Sequence, residues 1–150
     1  MGTQPELGLE MIRRVKAAGV PFERVACDEL YGRGQAFRAA LARDKLRYAA
    51  QVPATAQVYL SEPRVGIPRR RHRQGQAPKR LKVLSRQPPH EVRALTEKAQ
   101  TVWQRVRVRS TERGWLEAEF AVRPVWSVAA DQLPRPEWLV IRRESDGDCQ

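Results

Sequence analysis

A chain of 150 residues is about one domain long, but 30% charged residues, 7% aromatics and eleven prolines leave little apolar area for a core. The net charge of +11 is concentrated in residues 61–110, which carry 14 Lys/Arg against 3 Asp/Glu, a balance that suits a polyanionic partner or a solvated segment. No apolar run reaches the roughly 18 residues of a membrane span, and the polar N-terminus lacks the pattern of a secretory signal. With Cys27 and Cys149 far apart and no disulfide expected, the chain reads as a cytoplasmic protein.

The first element is a helix. Thr3 can cap it, Glu6 completes a capping box, Pro5 fits the first turn, and Gly19 with Pro21 ends it. Leu7, Met11, Val15 and Ala18 form its apolar stripe with Ile12 beside them, while Arg13, Arg14 and Lys16 face water. Arg24–Cys27 is a short buried strand that runs into Asp28 and Glu29 and then a loop marked by Gly32 and Gly34. A second helix begins at Gln35 with Phe37, Ala40 and Leu41 on one face, and residues 48–52 make a second strand that Pro53 ends. Strand, helix, strand over this distance predicts a parallel, right-handed βαβ unit whose strands need further neighbours.

From 54 to about 98 the periodicity dissolves among prolines, so residues 61–90 read as a long loop, with at most a short helix from 90 to 98. Arg69, Arg70, Arg71 and Arg73 form a cationic run there that can neutralise DNA phosphates. Beyond it the texture is β: 102–108 alternates as a half-buried strand, 115–128 is a strand bent or broken at Pro124, and 138–143 is a third. Trp103, Trp115, Trp126 and Trp138 all lie here, and cross-strand aromatic contacts account for them, with base stacking as the alternative. The tail from 145 reads as frayed. These divisions predict four regions: a core over 1–54, a basic Pro/Arg-rich segment over 55–98, a β-rich region over 99–144 and the tail.

His72 and His90 have no partners at zinc-ligand spacing, no phosphate-binding lysine loop is present, and no nucleophile comes with a base and its orienter. Asp28 stands out because ligands of open α/β sheets gather outside the carboxyl ends of the strands. On position alone the leading reading is a cap for the next helix or a turn residue.

The larger pattern weighs on that choice. Leu7-Gly8-Leu9-Glu10-Met11, then Ala17-Ala18-Gly19-Val20-Pro21-Phe22, then Val25-Ala26-Cys27-Asp28-Glu29-Leu30-Tyr31-Gly32 resembles the DDE transposases of bacterial insertion sequences, in particular the DDE superfamily endonucleases. The segments 114–118, 123–126 and Glu137-Trp138-Leu139-Val140-Ile141-Arg142-Arg143 resemble the same family. The resemblance implies an α/β fold: a partial RNase H-like core ordered helix–strand–helix–strand, followed by a mainly antiparallel β insertion. It implies metal-dependent cleavage and strand transfer at insertion-sequence DNA ends, with two Mg²⁺ ions held by converging carboxylates. Asp28 matches the second catalytic aspartate, a metal ligand. The first aspartate and the final glutamate have no match, so the expectation is a fragment that is inert alone, folds marginally and can self-associate through open strand edges. A small basic nucleic-acid-binding protein with Asp28 as a cap is the alternative, and a nuclease assembled across a homodimer is a third.

Overall fold

The computed structural model describes residues 2–69, 77–98, 100–112 and 114–144. Helix α1 spans Gln4–Ala17, and the Glu6 carboxylate accepts the Thr3 N–H at 2.7 Å, as a capping box requires. Gly19 ends it at φ +76°, a left-handed conformation that side-chain-bearing residues avoid. The strands β1 (Arg24–Cys27) and β2 (Arg47–Ala50) pair in parallel, with Arg24 opposite Arg47 and Cys27 opposite Ala50. Between them lie the single-turn α2 (Glu29–Gly32) and α3 (Gln35–Arg43). Phe37, Leu41 and Leu46 are the buried centre of this layer, with Leu9, Ile12, Phe22, Val25, Tyr31 and Tyr48 packed around them.

The stripe of α1 differs from the predicted one. Leu9 and Ile12 pack on the core, whereas Leu7, Val15 and Met11 (63%) are exposed. The helix is pinned on that same face: Arg13 pairs with Asp44 at 2.7 Å, Lys16 Nζ donates to the Asp44 carbonyl, and the Tyr31 ring lies so close to Gly8 that a Cβ there would meet it at 2.8 Å. Arg13 and Lys16 are therefore anchors, not merely solvated charges.

The segment 55–98, expected as loop with at most a short helix over 90–98, holds two small antiparallel pairings, β3 (Gln57–Val58) with β6 (His90–Glu91) and β4 (Val65–Gly66) with β5 (Lys82–Val83), and the helix α4 (Val92–Thr96) within the expected one. The three-stranded antiparallel sheet has β8 (Gly114–Ser127) between β7 (Gln104–Thr111) and β9 (Arg135–Glu144). Val58, Val92 and Leu95 cover its inner face at Ala121, Val125, Leu139 and Ile141. That cover stops short of β7, which is exposed along its whole length rather than half-buried.

Strand β8 runs unbroken through Pro124. Its pairing with β7 ends at Phe120, and Trp126, six residues on, donates its N–H to the Tyr59 carbonyl at 2.8 Å. The nitrogen of Pro124 faces that same edge between the two pairings, so its missing N–H removes no ladder bond. The register also sets the tryptophans apart: Trp115 is opposite Ser110, Trp126 opposite Pro136 and Trp138 opposite Pro124. Guanidinium groups take the place of the expected aromatic partners, Arg143 lying 4.1 Å from the Trp103 ring centre and Arg107 5.7 Å from that of Trp115.

Candidate functional site

Asp28 lies at the carboxyl end of β1, exposed, as the residue that caps α2. Its Oδ1 accepts the backbone N–H groups of Leu30 at 3.1 Å and Tyr31 at 3.4 Å. Tyr31 and Gly32 of the motif have packing reasons. Tyr31 rests on Gly8 and meets the Phe37 ring at 5.6 Å between centres. Gly32 passes so close to the chain after β2 that a Cβ would sit 1.9 Å from the Gln51 carbonyl oxygen. The turn is thus held rigidly against both helix and strand, with the Asp28 carboxylate at its outer rim. Cys27, just before it, has its thiol pKa pushed up, first by burial and then by the Asp28 charge, which keeps it a neutral packing group.

The donor set around Asp28 does not make a metal centre by itself. Among the described residues no three His, Cys, Asp or Glu side chains are grouped as metal ligands. Of the cationic run, Arg69 is exposed, and Arg70, Arg71 and Arg73 lie outside the described residues, as does the tail from 145. Among the described residues no helix is long and apolar enough to cross a membrane.

A second constellation escaped the sequence reading. Glu137 of β9 accepts from Arg38 of α3 (Nε at 3.1 Å, Nη2 at 3.4 Å), from the Tyr48 hydroxyl of β2 at 2.6 Å and from Arg135 Nη2 at 2.8 Å. The Ser127 hydroxyl donates to it as well. Arg38 also donates through Nη1 to the Gly32 carbonyl, which ties the cluster to the turn that Asp28 caps. The side chains of Arg38 and Glu137 are 7% and 14% exposed, so this pair is desolvated and joins the α/β layer to the β-sheet. Burial pushes the Glu137 carboxyl up, but its hydrogen bonds with Arg38, Ser127 and Tyr48 outweigh that and hold it below the usual carboxylate range. Burial, then the bond to Glu137, pushes the Tyr48 phenol far up. Alternation was the available signal: Glu137, Leu139 and Ile141 occupy every second position of β9, which puts the acid on the inner face.

Over residues 2–114 the chain matches the family described as DDE superfamily endonuclease. The match takes in the whole Asp28 turn and most of the elements described above. This chain belongs to the DDE superfamily endonucleases. Curated proteins and solved structures provide no match. Membership makes the chain part of a transposase-like nuclease family, whose intact members act on DNA and generally use divalent metal ions. The match ends at Gly114, where β8 begins, while the resemblance seen in the sequence continues to Arg143.

Proposed function

We propose that this chain is the part of an insertion-sequence DDE transposase that carries the second catalytic aspartate, Asp28, on half of an RNase H-like core, followed by the β-rich insertion. The observation that supports this most is the family match across the Asp28 turn, together with the exposed position of that carboxylate at the carboxyl end of a parallel strand. In the intact enzyme such carboxylates would hold the two Mg²⁺ ions for cleavage and strand transfer at the element's DNA ends. The described residues supply Asp28 alone to that task, so the chain by itself is catalytically inert. The basic stretch that includes Arg69 and the following Arg70, Arg71 and Arg73 would contact DNA phosphates, with binding that falls steeply with salt.

A Mn²⁺ titration followed by amide NMR tests the ligand role. Paramagnetic broadening centred on residues 28–32 and absent from Asp28→Asn is the expected result, whereas broadening spread evenly over the surface acids refutes it. A Mg²⁺-dependent nicking assay on the same two proteins tests the inertness. Equal inactivity is expected, and cleavage by the wild type that Asp28→Asn abolishes would instead mean a site completed across a self-associated dimer.

The second reading is a basic nucleic-acid-binding module without catalysis. The hydrogen bonds that Asp28 Oδ1 accepts from the Leu30 and Tyr31 N–H groups favour it, since they give the acid a structural role. DNA binding together with no localised Mn²⁺ effect would select it.

A further inference from the structure

A cleft of about 440 Å³ opens between α3 and the connection from β8 to β9, lined by Ala39, Ala42, Arg43, Ser127, Gln132 and Arg135 among others. Among the described residues no acid lines it. Arg135 is the unusual member. Its Nη2 is bound to Glu137 and its guanidinium lies 6.0 Å from the centre of the Tyr48 ring, yet its Nε and Nη1 are buried without a hydrogen-bond partner. Buried guanidinium donors without an acceptor are costly and rare.

Glu137 cannot supply the missing acceptor. It already receives Arg38, Tyr48, Arg135 and Ser127, and its one negative charge faces the two guanidiniums of Arg38 and Arg135. One positive charge is left over at the cleft, and the exposed Arg43 adds a second. The planar fork of arginine matches the spacing of oxyanion oxygens, and the neutral Gln132 amide offers a further donor on the same wall. A phosphate group carries about two negative charges and three acceptor oxygens, which answers both the charge surplus and the unmet donors.

The geometry points to this cleft as a phosphate-binding subsite, with Arg135 and Arg43 as its cations. The phosphate comes either from free inorganic phosphate or from a DNA strand. The inference does not depend on Asp28 being a metal ligand.

Titration calorimetry of the full chain with inorganic phosphate, at constant ionic strength against chloride, is the first arm, and a short DNA duplex is the second. Wild type is compared with Arg135→Lys, which keeps the charge but loses the fork, and with Arg43→Gln, which lies outside the buried cluster and leaves the fold intact. Saturable phosphate binding weakened about tenfold or more in both variants supports the subsite and assigns free phosphate as a ligand. Duplex binding without inorganic phosphate binding, with Arg43→Gln lowering the salt slope by about one and Arg135→Lys weakening the affinity at an unchanged slope, supports it with DNA as the source. If Arg135→Lys does not fold, Arg43→Gln alone decides, by the same two readings. Binding of neither ligand, or binding equal in wild type and every folded variant, overturns the subsite and leaves water as the partner of the Arg135 donors.

Discussion

Asp28, just past the end of β1, and Glu137, within β9, are both acids placed by strands, and they do opposite work. Asp28 ends β1, stands in solvent and serves its own turn through Oδ1. Glu137 lies inside β9 on the inner face, accepts from four side chains on three other elements or neighbouring strand positions, and joins the α/β layer to the β-sheet. An exposed carboxylate at a strand end remains available to a ligand that brings its own charge. A desolvated one is already fully engaged and is a structural pin. The contrast teaches that, in a chain of this family, acidity and strand position alone do not mark chemistry. What surrounds the carboxylate does.

The largest test of the contrast is Glu137→Gln. It leaves the Arg38 and Arg135 guanidiniums without a counter-charge, and a loss of about 3–5 kcal/mol in chemical denaturation is expected, since breaking a buried pair from one side is far costlier than the pair is worth. A loss under about 1 kcal/mol would show that the junction is solvated and the comparison wrong. Leu41→Ala, at a fully buried position of the α/β layer, should cost about 2–5 kcal/mol. If it does so while the β-sheet amides keep their exchange protection, the two layers unfold separately and Glu137 does not couple them.

Asp28→Ala comes next, with an expected loss of about 0.5–2 kcal/mol from the missing cap. Asp28→Asn keeps an equally good cap, so its melt should match wild type within about 0.5 kcal/mol. That makes it the clean variant for any metal or cleavage assay, because a change in such an assay then reports the charge and not the fold.

The pH dependence of stability sharpens the contrast from a different side. The folded-state pKa of Glu137 lies below its ordinary 4.5, so its contribution is complete above that value and is lost as pH falls through the folded pKa. Tyr48 is shifted above its ordinary 10.0, so the neutral phenol favours the folded state below that pH and its contribution is lost as pH rises beyond it. Melts between about pH 5 and 9 should therefore be flat with respect to this cluster. Acid unfolding that is unchanged by Glu137→Gln would contradict the assignment.

Much of the N-terminal layer is legible in the sequence because its determinants are local. Thr3 with Glu6, Gly19 with Pro21, and the apolar spacing of Phe37 and Leu41 each act within a few residues, and the helix, strand, helix and strand appear where those signals put them. Asp28 is legible as the acid at a strand end, and its capping bonds reach only to Leu30 and Tyr31. The face of α1 that packs was not legible, because Asp44 and Tyr31, not the helix's own pattern, choose it. The exposure of β7 was hidden for a similar reason: alternation tells which residues share a face but not whether another layer covers it.

By itself, the sequence determined the parallel βαβ beginning, the antiparallel β ending and the kinship with DDE endonucleases, though not the short pairings β3–β6 and β4–β5, since propensity, capping and short motifs are written in neighbouring residues. Tertiary structure alone decided that Arg38, 99 residues from Glu137, shares its carboxylate with Tyr48 and Arg135, and that Arg135 keeps two buried donors without a partner. Charge pairing in a desolvated junction depends on which layers close over it, and no local pattern carries that information.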